Sequence, residues 1–451
     1  MAKVLLLFYQ PIINTTAADA VLAFYESFIK ELNDNLNEVN YINLSPLKEY
    51  WDNTFTNLNG REKENLISKI KTFAPEVIFT FNNQITSEII QNTACPICIM
   101  DADNSILFPN KDFIKTFNNR YYLFSFYKDW EAEKYKELGI KKENIDFLHQ
   151  ATSIKNENLE KTTNISFIGS KFGGLHPALA QKIKEVLESE DLQKYYENQY
   201  ENSQKFYDKY TKLLNVRECD LYGLLDTRLA VLNSVSDLGL KIYGVGWDKL
   251  PDEMFNLKLC YDNTPKYSLK HNSQVYNSSK INISVSHPQC KGYAYPWRVY
   301  DVMGSGGLLV SSYSKLLEEQ IKGFVKIPMY NSPFEARDLC KYALQNPSYC
   351  EDIIKASNEF IEKQGRWADN FETIQELIKI NLQDNKKEAV TPENLLKNLP
   401  VKIKSTPKKR FKQALNGLLL ILSNLPIIEL IFSEKMQKKI YSSINKYNNS
   451  D

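Results

Sequence analysis

At 451 residues the chain is longer than one hydrophobic core usually organises, so two domains are the default. A hydrophobic fraction of 43% with 12% aromatics excludes a disordered chain, and a formal net charge of +1 excludes a nucleic-acid binder held by bulk charge. The opening MAKVLLLFYQP has no basic segment, long apolar run and small-residue cleavage site, so no secretory signal is expected. Cysteines scattered at 95, 98, 219, 260, 290, 340 and 350 point to a reducing, cytoplasmic setting.

The first half alternates strands and helices. Lys3–Tyr9 is a continuous apolar run of strand length, the pattern of a parallel strand covered on both faces. An amphipathic helix is expected around Ala17–Leu32. Further strands are predicted at Val39–Asn43, Val77–Phe81, Ile97–Met100, Tyr121–Phe124 and Ile145–Leu148, with helical patterns such as Arg61–Thr72 and Glu131–Leu138 between them. This alternation implies right-handed crossovers and a parallel sheet over residues 1–155. Cys95-Pro-Ile-Cys98 has metal or redox spacing, but with no second such pair and no nearby histidine a buried strand is the better reading. The polar stretch Ala151–Thr163 reads as a linker.

The pattern restarts in a second half, 164–382. Asn164–Ile168 is a strand leading into Gly169-Ser170-Lys171-Phe172-Gly173-Gly174, and a helix is expected from Pro177. The polar, tyrosine-rich Leu192–Lys212 reads as a solvent-facing helix. Lys241–Tyr243 is a strand ending in Gly244-Val245-Gly246-Trp247. Lys249 stands where a dinucleotide fingerprint needs its third glycine, so no dinucleotide cofactor is expected. A short strand is predicted at Phe324–Ile327. Ser332-Pro333-Phe334-Glu335 combines a capping box with proline at the first helical position and starts a helix.

Ser279–Ser314, between these elements, carries the most chemistry. It reads as strand, loop, short helix, glycine turn and strand, with Arg298-x-x-Asp301 in the first helical turn and Gly304-Ser305-Gly306-Gly307 closing the helix. A cation at a helix start is opposed by the helix dipole by up to about 1 kcal/mol. An i,i+3 pair with Asp301 would offset only about 0.2–0.5 kcal/mol. A bound anion would offset more, because helix N-termini and strand-end loops of open α/β sheets are phosphate sites.

These residues resemble a known family. RVYDVMGSGGLLVSS is similar to the signature of CgeB-like and related group-1 glycosyltransferases, an R-x-[FY]-[DE]-x-[ML]-[AG]-[CS]-G-G run before an apolar strand. NISFIGS, GLKIYGVGW, SKINISVS, PICIMDADN and YYLFSFYKDWEAEKYKELGI also resemble family segments, in order across Lys3–Leu382. The chain departs from the pattern in its spaced acidic pair, Asp101-x-Asp103, and in the loop His287-Pro288-Gln289-Cys290. The resemblance implies a GT-B fold: two Rossmann-like domains with parallel sheets facing a central cleft. It implies sugar transfer from a nucleoside-diphosphate donor to a glycan, lipid-linked or protein acceptor, as in bacterial surface polysaccharide or glycoprotein synthesis, without a metal or other cofactor.

On the same resemblance, Arg298 would touch the diphosphate and Asp301 the ribose or donor sugar. Gly304, Gly306 and Gly307 would allow close approach of backbone and donor. Gly169, Ser170 and Lys171 would cap the phosphates from the other side. Tyr243, Gly244 and Trp247 would border the base, with Tyr295 also on the donor side. Asp101, Asp103 and His287 are the candidates for acid–base work. Two alternatives stay open: a nucleotide-sugar epimerase or hydrolase on the same scaffold, and a non-catalytic glycan-assembly protein.

The tail, 385–451, differs in character. Lys402, Lys404, Lys408, Lys409, Arg410 and Lys412 precede the interrupted apolar run Ala414–Phe432, and Lys435, Lys438 and Lys439 follow. A spanning helix needs about 20 cleaner apolar residues. An in-plane anchor of residues 402–439 on an anionic membrane surface fits better, making the protein peripheral on the inner face of the cytoplasmic membrane; a helix docking on protein is the competing reading.

Overall fold

The structure, a computed structural model, describes residues 2–10, 21–35, 37–102, 108–126, 135, 137–171, 177–221, 227–250, 254–264, 266–290, 292–383 and 390–397. The Glu131–Leu138 helix falls largely outside these residues, as do the first turns of Ala17–Leu32 and most of the tail.

The apolar runs of the first half become a parallel seven-stranded sheet. Its strands are β1 (Lys3–Phe8), β2 (Glu38–Asn43), β3 (Val77–Phe81), β4 (Ile97–Asp101), β5 (Tyr121–Ser125) and β6 (Ile145–Phe147), joined at one edge by the later β13 (Glu393–Asn394). The order is β13-β2-β1-β3-β4-β5-β6. Val4 aligns with Val39 on one side and Val77 on the other, which places β1 at the centre. Val4 through Leu7 are fully buried, as a strand with helices on both faces requires.

The second half forms a parallel six-stranded sheet from β7 (Thr163–Ile168), β8 (Leu240–Tyr243), β9 (Tyr261–Asp262), β10 (Ser279–Ser284), β11 (Leu308–Ser312) and β12 (Met329–Tyr330). Its order is β12-β11-β10-β7-β8-β9. Two Rossmann-like parallel sheets, each doubly wound, are the arrangement expected of a GT-B fold. Cys98 lies buried within β4, as the strand reading has it, whereas Cys95 precedes the strand and is half-buried; burial pushes its thiol up to about 11.

Three expectations change. The strand predicted at Phe324–Ile327 is displaced to Met329–Tyr330. The N–H groups of Phe324 and Val325 bond back to the Ile321 carbonyl and close a turn, so pairing with β11 resumes only at the Pro328 carbonyl, which accepts from Ser311 N–H. Leu192–Lys212 is two helices, Ser189–Glu197 and Gln199–Leu214, split at Asn198. They are not simply solvent-facing: Tyr195, Phe206, Tyr207 and Tyr210 form a separate small core with Ile183 and Leu221. Finally, the helix Trp367–Ile378 leaves the second half and packs into the first, where Trp367, Phe371 and Ile374 join Phe28 and Phe79. The 164–382 span therefore does not pack as one body.

Trp367 is fully buried, meets the Phe28 ring edge-on with 4.8 Å between centroids, and donates its indole N–H to Ser27 Oγ at 3.1 Å. Trp367→Ala is expected to cost about 3–5 kcal/mol in denaturant unfolding; a loss under about 1 kcal/mol would show that this helix does not belong to the first core.

Candidate functional site

The carboxyl ends of the two sheets face each other. Trp297, in the segment following β10, lies 3.9 Å from the Phe24 ring and 4.5 Å from Phe126, which follows β5. The helix Ala23–Asp34 after β1 meets the helix Leu269–Ser278 start to start: Ala23 N–H donates to the Tyr267 carbonyl at 2.7 Å, and Leu269 N–H donates to Glu26 Oε2 at 2.6 Å. Within the second sheet the chain winds from β7 through β8 to β9, then crosses back to β10 on the other side. The reversal opens a crevice between the carboxyl ends of β7 and β10, the place where doubly wound sheets bind ligands.

Four sequence elements converge there. Gly169-Ser170-Lys171 leaves β7, and Val285-Ser286-His287 leaves β10. Arg298 donates from Nη1 to the Val285 carbonyl at 3.4 Å, and its guanidinium lies 5.1 Å from the Phe167 ring. Arg228, on the helix Thr227–Ser234, donates to the Ser170 carbonyl and to the Val285 carbonyl at 3.4 Å, and lies 5.2 Å from the same ring. Two cations thus share one aromatic ring at the end of β7, each attracted by its quadrupole. Desolvation lowers the Arg298 guanidinium from its ordinary value; Tyr276, which hydrogen-bonds it, and Asp301 oppose that shift. It stays protonated at any working pH. Gly169 is sterically required: an added Cβ would stand 2.8 Å from Phe167 and 2.9 Å from Arg298 Nη2.

The expected partners of Arg298 are not the ones found. Its helix, Arg298–Gly304, has only seven residues, too short to carry the anion-site argument made from the sequence. Asp301 makes no ion pair with Arg298 within 4 Å; its Oδ1 accepts from Thr152 Oγ1 at 2.5 Å, on the linker between the halves. Burial raises its carboxyl to about 6 against the lowering effects of Thr152, Arg298 and Arg366. The glycine turn lies at the far end of the sheet from Arg298, because the helix runs back to the start of β11, where Leu308 aligns with Ile281. There a Cβ on Gly304 would stand 2.5 Å from the Ile154 carbonyl, and one on Gly306 would stand 2.6 Å from Asn156 Oδ1. Asn282 and Tyr276 crowd Gly307. These glycines let the motif pack against the linker, and not against the crevice where the resemblance to the family implied donor contact.

The aromatic residues expected beside a base are largely interior. Tyr243 is 6% and Trp247 1% exposed. Trp247 donates its indole N–H to the Gly169 carbonyl at 2.7 Å, so it positions the loop leaving β7. Gly244, at φ +136°, has no room for a Cβ against Gly169. Gly169 N–H and Lys171 N–H bond to the carbonyls of Tyr243 and Val245, both at 2.9 Å, locking the two strand-end loops together. Tyr295 is also buried, with its hydroxyl on Gln320 and its carbonyl accepting from Gln150 at 2.8 Å.

Of the acid–base candidates, Asp103 lies outside the described residues. Asp101 ends β4 with no exposed surface and accepts from the Tyr135 hydroxyl, which in turn meets Ser125 Oγ at 2.6 Å. Its carboxylate is thus enclosed at the strand end. His287 stands at the crevice. Burial first and Arg228 second lower its ring to about 4, so it is neutral near pH 7. Gln289 N–H donates to its Nδ1 at 3.2 Å, which sets the proton on Nε2.

Sequence reading missed Arg228. Its one signal is a lone cation in the apolar helical stretch TRLAVL, a place where a charge needs a reason.

Residues 228–376 match the protein-family profile described as Glycosyl transferase-like. In structure the chain is similar to a glycosyltransferase from Rickettsia africae ESF-5, with 11% identity and a TM-score of 0.47 over 84% of this chain and 99% of that one. It is similar to Anabaena Alr3699/HepE in complex with UDP and glucose, at 10% identity and 0.47 over 84% and 100%. It is also similar to sucrose-phosphate synthase (tll1590) from Thermosynechococcus elongatus, at 9% identity and 0.49 over 83% and 98%. No curated protein matches the chain.

Asp301 supplies a pH test. Its folded-state value of about 6 exceeds the ordinary 3.8, so between those values the folded chain binds a proton that the unfolded chain does not, and this contribution is lost as pH rises through 6. Relative to Asp301→Asn, the wild type should gain on the order of 2 kcal/mol on going from pH 7.5 to pH 4.5 in urea unfolding. A difference that is the same at every pH would show that Asp301 titrates normally.

Proposed function

We propose that this protein is a glycosyltransferase that moves a sugar from a nucleoside-diphosphate donor, with the donor's diphosphate held in the crevice between β7 and β10. The observation that carries the reading is the convergence of Arg298, Arg228 and the Gly169–Lys171 loop at that switch point, the two arginines lying in the segment 228–376 that matches a glycosyl transferase-like profile. A departing diphosphate needs fixed cations and backbone N–H groups already in place, because their reorganisation would otherwise add to the barrier. Arg298 offers the guanidinium, and Lys171 stands on the loop that leaves β7. Arg228 holds the Ser170 and Val285 carbonyls, which fixes the loops on both sides.

His287, neutral at pH 7 with its proton on Nε2, suits a hydrogen bond to a sugar or acceptor oxygen. The counter-charge comes from these side chains, and the reading assigns no metal to the donor. Asp301 and the glycine turn act through positioning: they fasten the helix bearing Arg298 to the linker. The acceptor is a glycan, a lipid-linked saccharide or a protein, bound on the side of the first sheet. The reading places the protein in the cytoplasm, with residues 402–439 attaching it to an anionic membrane surface. No described helix is long and apolar enough to cross a membrane.

A thermal-shift panel of UDP, GDP, ADP and CMP derivatives tests the donor site. At least one nucleotide should stabilise the wild type, and Arg298→Ala should weaken it about 10- to 100-fold, the range of a charge-assisted contact. Unchanged affinity in Arg298→Ala would remove the arginine from the site, and no shift with any nucleotide would remove the enzyme reading. For the tail, flotation with phosphatidylserine-containing liposomes should fall when 384–451 is deleted; equal flotation would reject the anchor.

A further inference from the structure

Between β7 and β8 the chain inserts the helical hairpin Ser189–Glu197 and Gln199–Leu214, closed on itself by Tyr210, whose hydroxyl bonds Asp191 Oδ2 at 2.8 Å. The hairpin lies over the carboxyl ends of β11 and β12. Gln199 N–H donates to the Asn331 carbonyl at 3.0 Å, and the Tyr200 ring lies 4.6 Å from Tyr313, which follows β11. Tyr200 also sits directly on Gly292, at φ +76°, where any Cβ would overlap its ring. The hairpin is therefore docked on the loop that follows β10.

Beneath it is a cavity of about 50 Å³, lined by Gln199, Ser286, His287, Ser312 and Asn331 among others. Three of these carry buried polar atoms without a protein hydrogen-bond partner: Gln199 Nε2, Ser286 Oγ and Asn331 Oδ1. Buried polar atoms are nearly always paired, and here a donor, an acceptor and a hydroxyl that can be either belong to three residues around one small space. Its walls contain amides, hydroxyls and the neutral imidazole of His287, with no carboxylate, ammonium or guanidinium. Thr227, also on the wall, adjoins Arg228, so the cavity borders the crevice assigned to the diphosphate.

We propose that this cavity is the specificity pocket for the donor sugar, receiving an uncharged hydroxyl-bearing group of a neutral sugar through Gln199, Ser286 and Asn331. The inference rests on the donor reading above. A space of this size admits a hydroxymethyl group or a few hydroxyls, not a whole ring. Amide and hydroxyl partners pair with sugar hydroxyls in both senses, donor and acceptor. No ammonium or guanidinium is among the lining residues to bond a carboxylate directly, as in a uronic acid, so the same pocket favours the neutral sugar.

The test is titration of UDP, GDP, ADP and CDP, and of their glucose and N-acetylglucosamine conjugates, against wild type, Gln199→Leu and Asn331→Leu. In the wild type at least one conjugate should bind about fivefold or more tighter than its free nucleotide, the worth of one or two neutral hydrogen bonds. In the variants that advantage should vanish while the free nucleotide binds within about twofold of wild type, which also reports that they are folded. If no nucleotide binds, the glycosyl-transfer reading falls. If a nucleotide binds but no conjugate gains in the wild type, or the gain survives in both variants, the pocket assignment is wrong and the cavity holds water only.

Discussion

One guanidinium ties the two halves together. Arg366 Nη1 donates to the Thr152 carbonyl at 2.8 Å and to the Ile154 carbonyl at 2.7 Å, while Thr152 N–H donates to the Gly365 carbonyl at 2.9 Å. The chain passes between its halves twice, once through the linker after β6 and once just before the helix Trp367–Ile378, and this cluster joins both passages side by side. Asn370 extends the seam by bonding the backbone of His149 in both directions, at 3.2 and 2.8 Å. Thr152 then spends its hydroxyl on Asp301, so the helix that bears Arg298 is fastened to the seam and not only to its own sheet.

That fastening explains how the Arg298–Asp301 motif divides its work. Adjacent positions face opposite halves: Trp297 lies among first-half aromatics, and Arg298 turns to Phe167 in the second. Asp301 faces the linker, and the glycine turn gives way to the backbone of Ile154 and the side chain of Asn156. A buried carboxylate is costly unless it is paired or bonded. Here the pairing is with a threonine hydroxyl, and the cost shows as the raised proton affinity of Asp301. The cation, by contrast, is held by an aromatic face, the Val285 carbonyl and Tyr276, with no carboxylate within ion-pair distance among the described residues. A motif that looks like one unit in the sequence thus divides between the crevice, which Arg298 faces, and the linker, which Asp301 and the glycine turn meet.

The inserted hairpin makes a similar point about position. It owns a small aromatic core, yet its first turn docks at the ends of β11 and β12 and covers the loop carrying His287. Packing there decides the polarity of the space beside the crevice, and that polarity comes from Gln199, Ser286 and Asn331, which lie far apart in sequence.

Much of the scaffold was legible beforehand because its signals are local. Runs such as KVLLLF and VIFTF declare buried parallel strands, glycine and proline mark their ends, and the alternation with helices dictates two doubly wound sheets. Ser332 does cap its helix, accepting from Glu335 N–H at 3.1 Å, although Glu335 reaches back to Asn331 N–H at 2.6 Å and not to Ser332. Arg298 was found from its motif. What the residues alone could not reveal depends on contacts across long sequence separations. Trp367 belongs to the first core because the chain crosses back. Asp301 answers Thr152, 149 positions away. Arg228 meets Ser170 and Val285 only once β7 and β10 lie side by side. The sequence by itself determined the elements, the two-sheet class and the cation at the switch point, because periodicity and turn chemistry act over a few residues. Tertiary structure decided which side chains share a cavity, which are sealed inside, and which partner each carboxylate meets, because burial and pairing are properties of the assembled chain.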